Sequence, residues 1–392
     1  MEVGFQMAGL LYQMNNQATY DIAIAGGGLA GLTMSIHLAR KGFRVALFEK
    51  EQYPFHRVCG EYISMESAEF LRETGVDFQT LQLPILDTLI VSSPAGSTVK
   101  EVLDPGGFGI SRYKLDHLLS EIAIRSGVDL KVNDKVMDMT YENGEMVIQS
   151  RSGIYRSGVA VGSFGKRSNL DVKWHRSFVK NKPSKLNNYI GIKYHIRYDH
   201  PINTIALHNF DQGYCGISAI EDGKFCLCYL TTANNLEKNG NSIHEMEKNI
   251  LFRNPYLKEI FSNAEFIFDE PVAISQISFE HKESVVDHVL MAGDAAGMIT
   301  PLCGNGMSMA MHAGKIATRI IDDFLQHRIS RDSMEQQYQR EWDSNFSVRL
   351  RIGRLIQSLF GKPTITNVFI KGIKPFPSVI KLLIKQTHGK SF

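Results

Sequence analysis

The sequence predicts an α/β protein: a Rossmann-like nucleotide-binding domain with an inserted β-rich substrate domain and a helical C-terminus. The first observation is an apolar run from Asp21 that leads into a glycine-rich turn, followed by a helix pattern and a second β-rich run. This order is the βαβ unit of dinucleotide-binding folds. The second observation is a change of texture over 185–275, where short β-rich runs are separated by turn residues.

The glycine-rich turn has the form Gly26-x-Gly28-x-x-Gly31. Gly26 permits a tight turn, Gly28 lets the backbone approach a pyrophosphate, and Gly31 lets the following helix pack closely on the strand. The helix N-terminus offers free N–H groups to the phosphates. Glu49, 23 positions after Gly26, is placed to accept hydrogen bonds from an adenosine ribose. The residues assigned to this ligand are Gly26, Gly28, Leu29, Ala30, Gly31, Glu49 and Lys50.

Composition excludes several classes of protein. The chain has 392 residues and a formal net charge of +2, yet 344–392 carry nine Lys or Arg and no acid. No basic stripe accompanies stacking aromatic residues outside this tail, so nucleic-acid binding is not predicted. Five cysteines without ligand spacing predict reduced thiols, no metal site and a cytoplasmic protein. No apolar run reaches about 18 residues, and 1–19 are predicted to be an extension with Met14 as an alternative start.

The next stretch supplies two arginines of interest. A loop carries Arg57-Val58-Cys59-Gly60, and Ser64 is placed to cap a helix over 65–74. Arg57 is expected to face either phosphates or solvent. A second helix is predicted from Arg112 to Gly127, with apolar positions on one face, and Arg112 in its first turn requires a partner. Strands are expected at 131–139, 145–149 and 158–161.

The β-rich region contains three adjacent antiparallel strands, predicted over 204–210, 214–220 and 225–231. Asp222-Gly223 between the last two is a strong hairpin signal. Cys226 and Cys228 share one face with Leu230, which favours core packing over a thiol site. This region is predicted to bind the substrate.

The chain then returns to the nucleotide domain. A short strand ends in Gly293-Asp294, and a turn with Pro301, Gly304 and Gly306 precedes a long helix over 307–325. Asp294 lies beside small residues that allow close approach to a polyol, and the helix N-terminus suits a ligand with developing negative charge. The domain assignment is an extension at 1–19; the nucleotide domain at 20–80, 105–180 and 276–330; the β-rich substrate region at 81–104 and 181–275; and a basic helical segment at 331–392.

These motifs together, over 20–330, resemble the group A flavoprotein monooxygenases (aromatic hydroxylases) and the related geranylgeranyl reductases and flavin halogenases. The resemblance implies FAD, with the first motif on its ADP half, Asp294 on the ribityl chain and the turn before the long helix at the flavin ring. The cofactor-binding residues that it adds are Arg57, Cys59, Gly60, Arg112, Gly293, Asp294, Pro301, Gly304, Asn305, Gly306 and Met307.

Two positions depart from the pattern of that family. Phe164 stands where its middle motif, here Gly162 to Ser168, has an aspartate linked to nicotinamide handling, so the electron donor is either NAD(P)H or a separate reductase. Gly216 replaces the second aromatic residue of a string that marks the reductases and the halogenases. This change makes halogenation unlikely, weakens prenyl reduction and widens the pocket.

The resemblance leads to one hypothesis and two alternatives. The leading hypothesis is a monooxygenase that acts through a flavin hydroperoxide on an apolar or aromatic small molecule. Reduction of double bonds in an isoprenoid or polyene, and a non-catalytic flavin-binding protein, are the alternatives. Cys303 is the candidate catalytic residue, with packing as the favoured role. The basic tail suggests contact with a membrane surface or an acidic carrier protein, although a solvated helical face explains it too.

Overall fold

The structure, a computed structural model, describes residues 19–180, 188–300, 304–359, 362–376, 378–381, 389 and 391–392. It contains two β-sheets and a set of helices. The first sheet is formed by β1 (Thr19–Ala25), β2 (Val45–Phe48), β6 (Asp129–Lys131), β7 (Val136–Glu142), β8 (Glu145–Ser150), β9 (Ile154–Gly162), β16 (Val285–Val286) and β17 (Val289–Met291). The second is formed by β3 (Tyr62–Ser64), β4 (Ile85–Ser92), β5 (Thr98–Gly109), β10 (Tyr189–Arg197), β11 (Thr204–Phe210), β12 (Gly213–Ala219), β13 (Phe225–Thr232), β14 (Glu265–Phe266) and β15 (Val272–Ile277).

The helices lie on the sheets and at the C-terminal side. They are α1 (Leu29–Arg40), α2 (Ala68–Thr74), α3 (Phe78–Leu81), α4 (Arg112–Arg125), α5 (Asn169–Lys173), α6 (Ser177–Lys180), α7 (Ala233–Glu237), α8 (Ile243–Asn249), α9 (Pro255–Asn263), α10 (Gly306–Leu325), α11 (Arg331–Leu359) and α12 (Pro363–Ile373). Among the described helices, none has the length and apolar character needed for a membrane span.

The first sheet is the predicted Rossmann-like sheet, in the order β16-β17-β9-β1-β2-β6. β1 lies between β2 and β9 and is parallel to both, with Ile24 opposite Leu47 and Val161. Because helices cover a parallel sheet, these strands are apolar on both faces. The single strand expected at 131–139 is wrong: β6 ends at Lys131, Asn133 turns with a φ of 55°, and β7 begins at Val136.

The second sheet is mostly antiparallel, in the order β14-β10-β13-β12-β11-β4-β5-β3. The predicted hairpin between β12 and β13 is present, and Asp222 and Gly223 both have a positive φ. One face packs on α8 and α9 through a core that includes Met246, Leu257 and Ile260. The opposite face carries a second apolar cluster, described below.

The two sheets share segments of the chain. The boundary expected at residue 105 falls inside β5, and β3, from the stretch assigned to the nucleotide domain, pairs with β5 in the second sheet. The C-terminal helix α11 lies against α10 and buries Met334, Tyr338, Trp342, Phe346 and Leu350. Their spacing of four residues places them on one helix face, which is why this segment joins the first core.

Candidate functional site: a nucleotide cradle

The glycine turn between β1 and α1 is closed by a second turn. Gly26 has a φ of 112°, and a Cβ there would lie 2.4 Å from the carbonyl oxygen of Ser163. A Cβ on Gly31 would lie 2.1 Å from the carbonyl oxygen of Gly26. Both positions therefore require glycine. Gly28, just before Leu29 and Ala30 of α1, faces open space except for the end of Arg112, 3.8 Å away, which leaves the room that a phosphate needs.

Glu49, at the end of β2, is a buried carboxylate that belongs to a charged network. Its oxygens accept hydrogen bonds from the backbone N–H groups of Gly27, at 3.0 Å, and Glu51, at 3.1 Å. Arg57 donates to Glu49 at 2.8 Å and to Asp116 at 3.0 Å. The expectation that Arg57 faces either phosphates or solvent is therefore wrong, because two carboxylates and the stacked ring of Phe55 hold its guanidinium.

Arg112 has the partner that its position required. Its guanidinium binds Asp116 with two hydrogen bonds, of 2.7 and 2.8 Å, one helical turn along α4. Burial lowers the pKa of Arg112, but the adjacent Asp116 carboxylate outweighs it, so the net pKa is raised. The sequence reasoning missed Asp116, although the i, i+4 spacing of an arginine and an aspartate was a usable signal.

The Cys59–Gly60 turn forms an open edge of the site. A Cβ on Gly60 would meet nothing within 4 Å, and Cys59 is half-buried. Neighbouring side chains fix the backbone here, because Lys166 donates to the carbonyl of Val58 at 2.9 Å and Cys226 donates to that of Cys59 at 3.3 Å. Lys50, in contrast, makes a surface ion pair with Glu51.

The Gly293-Asp294 turn contributes a carboxylate. Gly293 has a φ of 62° and packs against Ala30, so this turn lies beside the start of α1. The half-buried Asp294 carboxylate has no hydrogen-bond partner among the described residues. Its backbone carbonyl accepts from Lys282 at 2.8 Å. Burial lowers the pKa of Lys282 to about 8. The sequence reasoning missed this lysine.

The turn before α10 lies against β3. Gly304 has a φ of 64°, and its position is 3.1 Å from the ring of Tyr62. Asn305 and Gly306 begin α10, and Met307 is buried. The Tyr62 hydroxyl is buried with no hydrogen-bond partner among the described residues. Pro301 and the candidate catalytic Cys303 lie outside the described residues.

An apolar chamber wall faces this group of turns. The cluster on the second sheet joins Met298, four residues after Asp294, to aromatic and aliphatic side chains of five strands and the loop after them. Its members are Tyr189, Leu207, Tyr214, Leu230, Ile277, Phe279 and Met298. Gly216 lies on the same wall, where a Cβ would be 3.3 Å from Leu207. The missing aromatic side chain would therefore have filled space on this wall.

Geometry of this kind defines a Rossmann-type dinucleotide-binding protein. In agreement, residues 24–59 match the family model of the NAD(P)-binding Rossmann-like domain. Conditioned medium factor receptor 1 of Dictyostelium discoideum is 25% identical over 360 residues, covering 85% of this chain and 69% of that protein. Digeranylgeranylglycerophospholipid reductase 1 of Methanococcoides burtonii is 22% identical over 358 residues, with coverages of 87% and 84%. The 1H-pyrrole-2-carbonyl-(peptidyl-carrier protein) brominase of Pseudoalteromonas luteoviolacea is 24% identical, with coverages of 77% and 77%.

Solved structures identify the fold more specifically. A flavin-dependent brominase superposes with a TM-score of 0.78 at 20% identity, covering 94% of this chain and 93% of the other. A geranylgeranyl bacteriochlorophyll reductase-like protein from Thermoplasma acidophilum gives a TM-score of 0.77 at 16% identity, with coverages of 95% and 96%. The resemblance expected from the sequence is confirmed: the chain has the fold of the FAD-dependent oxidoreductase superfamily that includes geranylgeranyl reductases and flavin-dependent halogenases.

Proposed function

We propose that this protein is an FAD-dependent oxidoreductase that acts on an apolar substrate. One observation carries the proposal: the nucleotide cradle, made of the turns at Gly26–Gly31, Cys59–Gly60 and Gly293-Asp294, meets the apolar wall of the second sheet at Met298. A cofactor held in the cradle would therefore lie beside a chamber for an apolar molecule. Pockets of this composition are typical of small-molecule sites.

The residues of the cradle fit FAD. Three donors already occupy Glu49, and a carboxylate has about four acceptor positions, so one remains for a ribose hydroxyl. The α1 N-terminus suits the pyrophosphate, and the unpaired Asp294 carboxylate suits a polyol. When bound, FAD supplies the redox chemistry, while the chain binds it, orients it and excludes water.

Cofactor release and titration test this first part. Denatured protein should release FAD, identified by chromatography. Asp294→Ala should weaken FAD binding about tenfold, because a charge-assisted hydrogen bond contributes about 1.5–3 kcal/mol. The control is Asp269→Ala, an exposed loop position, which should bind FAD like the parent. Binding of NAD with no affinity for FAD would contradict the proposal.

We favour reduction of a carbon–carbon double bond as the reaction. Support comes from relatives named as digeranylgeranylglycerophospholipid reductases, which align along most of this chain. Oxygen transfer to an apolar or aromatic substrate is the second candidate, supported by the resemblance to the aromatic hydroxylases. Phe164 packs near Trp174, with ring centroids 6.2 Å apart, beside the turn that closes on Gly26. Since no aspartate stands there, a separate reductase remains an alternative donor to NAD(P)H.

Product analysis separates the two reactions. FAD-loaded protein is reduced with NADPH or dithionite and mixed with geranylgeraniol, first without and then with ¹⁸O₂. Gain of two hydrogen atoms without oxygen supports reduction, and gain of one ¹⁸O atom supports oxygen transfer. Reduction by dithionite but not by NADPH would assign electron delivery to a partner protein. No turnover in either gas, with FAD bound, would favour the non-catalytic alternative.

A membrane surface is the partner that the C-terminal segment suits best. On and just after α12, Ile365, Val368 and Phe376 are exposed apolar residues, and Lys371 and Lys374 are exposed among them. The nine basic residues of 344–392, with no acid, complement an anionic lipid surface. Beside Met298, a cavity of about 330 Å³ is lined by Trp342, Leu350, Lys282, Arg351 and Arg354 among others. This mixture of apolar and cationic walls suits an amphiphilic substrate drawn from that surface.

A further inference from the structure

Beneath the Cys59–Gly60 turn lies a buried charged cluster that the cradle itself does not use. Glu61 accepts hydrogen bonds from Lys193 at 2.7 Å and from His195 at 2.6 Å. The side chains of Glu61 and Lys193 have no exposed surface, and that of His195 is 4% exposed. The backbone N–H of Arg112 donates to the same carboxylate at 2.9 Å, which joins the cluster to the Arg112–Asp116–Arg57–Glu49 network.

The sequence contains an overlooked signal for this cluster. Along β10, apolar residues alternate with Gly191, Lys193 and His195, a pattern that normally indicates a strand with one face in water. Instead, both faces are buried. A Cβ on Gly191 would lie 3.0 Å from Val58, so the polar face of β10 covers the turn that carries Cys59 and Gly60.

A purely structural role explains this arrangement poorly. Apolar residues in place of a buried ion pair are often as stable or more stable, so burial of three ionisable groups is not a general way to join two sheets. Moreover, Glu61 has a φ of 56°, a conformation that a residue with a side chain seldom adopts. Such strained residues cluster at functional sites.

Glu61 and Lys193 hold each other in their charged forms. Burial alone would raise the pKa of Glu61, but Lys193 and His195 outweigh it and lower that pKa to about 2. Burial would lower the pKa of Lys193, but Glu61 outweighs it and raises that pKa. Histidine is the side chain that ordinarily changes charge near neutral pH, so His195 is left to exchange a proton.

His56 connects this cluster to its surroundings. Its ring lies 5.1 Å from that of His195, and its Nδ1 is buried without a hydrogen-bond partner among the described residues. Burial, with Lys193 and His195, lowers the pKa of His56 to about 4, so it is neutral at pH 7 and can accept or donate. The titratable or charged groups around His195 are Glu61 and His56 from the turn, Lys193 from β10 and Cys226 from β13.

We infer that Glu61, Lys193 and His195 form a proton-holding triad for the redox site, with His195 sharing one exchangeable proton between its Nε2 and Glu61 Oε2. The inference rests on the proposed function. Two-electron reduction of an oxidised flavin takes up at least one proton; the electrons come from the reductant, and His195 supplies the proton and regains it from water through His56. Glu61 and Lys193 are positioning residues, because they fix the imidazole and its tautomer.

Two measurements test the triad. In FAD-loaded protein reduced by dithionite in weak buffer, a pH indicator dye should show that His195→Gln takes up fewer protons per flavin than the parent near neutral pH. The matched control is His208→Gln, another buried imidazole of the second sheet, bonded to Ser92 at 2.9 Å. The control should take up as many protons as the parent. Equal uptake in all three proteins would overturn the inference.

The second measurement does not depend on FAD or on a variant. In the unmodified chain, ¹⁵N NMR of the histidine rings should show one buried imidazole, bonded at Nε2, that titrates between pH 5 and 9. Absence of that titration overturns the triad even if His195→Gln fails to fold. Failure of FAD binding would contradict the proposed function and leave this result intact. Stoichiometric zinc in the purified protein, displaced together with this proton, would overturn the proton role.

Discussion

Asp116 is the residue whose loss should loosen the whole cradle. Its carboxylate has no exposed surface and accepts from Arg57 and, through two hydrogen bonds, from Arg112. Asp116→Asn keeps the size of the side chain but removes the charge and turns an amide N–H group toward the guanidinium donors. Removal of one partner of a buried ion pair costs about 3–5 kcal/mol. Arg57 is 26% exposed and keeps Glu49, so the lower end, about 3 kcal/mol, is expected here.

The assay is urea unfolding at pH 7, followed by tryptophan fluorescence, together with FAD titration. Asp116→Asn should lower the free energy of unfolding by about 3 kcal/mol and weaken FAD binding, since Arg57 and Arg112 then lack their common anchor. The control is Glu69→Gln, which breaks an exposed Arg72 pair of similar length, 2.8 Å, and should cost at most about 1 kcal/mol. If both variants unfold at the same urea concentration, the network does not organise the site.

Three other perturbations give distinct outcomes. Burial raises the pKa of Glu247 to about 6, against hydrogen bonds from Tyr229 and Tyr194 that lower it, so the folded state binds this proton more tightly than the unfolded state; stability should rise by about 2 kcal/mol as pH falls from 6 to 4.5, and Glu247→Gln should lose that slope in urea titrations. Gly31→Ala places a Cβ against backbone and should lower the melting temperature far more than Gly28→Ala, which meets no backbone; equal melting would exclude this steric reason. Charge reversal of Lys371 and Lys374 should abolish flotation with anionic liposomes but leave FAD content unchanged; undiminished flotation would contradict the membrane contact.

Local pattern was enough to predict the first sheet, the glycine turn and the three strands from 204 to 231. These elements depend on short-range signals: periodicity, a hairpin dipeptide and glycines at fixed spacing. The partner of Arg112 was within reach, since Asp116 lies one helical turn away. By contrast, the Arg57 pairs and the Glu61 cluster join residues 8, 59, 132 and 134 positions apart. A single sequence contains no rule for which distant charges meet.

The polar face of β10 shows a further limit. Alternation indicates which residues share a face of a strand, but not whether water or another part of the protein covers that face. Here the Cys59–Gly60 turn covers it, and Lys193 and His195 become buried. Similarly, the pairing of β3 with β5 could not be deduced from their separate strand signals, because the pairing depends on how the two sheets share the chain.

The glycine turn at Gly26 is completed only by residues synthesised much later. Ser163 closes it from one side, and Gly293 packs on Ala30 from another. A nascent chain that has only just emerged past its first βαβ unit therefore lacks the finished pocket, so tight FAD capture must wait until about three quarters of the protein has been translated. The cofactor then stabilises the completed fold by about 2.7 kcal/mol at a free concentration of 100 Kd. Loading with FAD would thus distinguish finished molecules from truncated ones during biosynthesis.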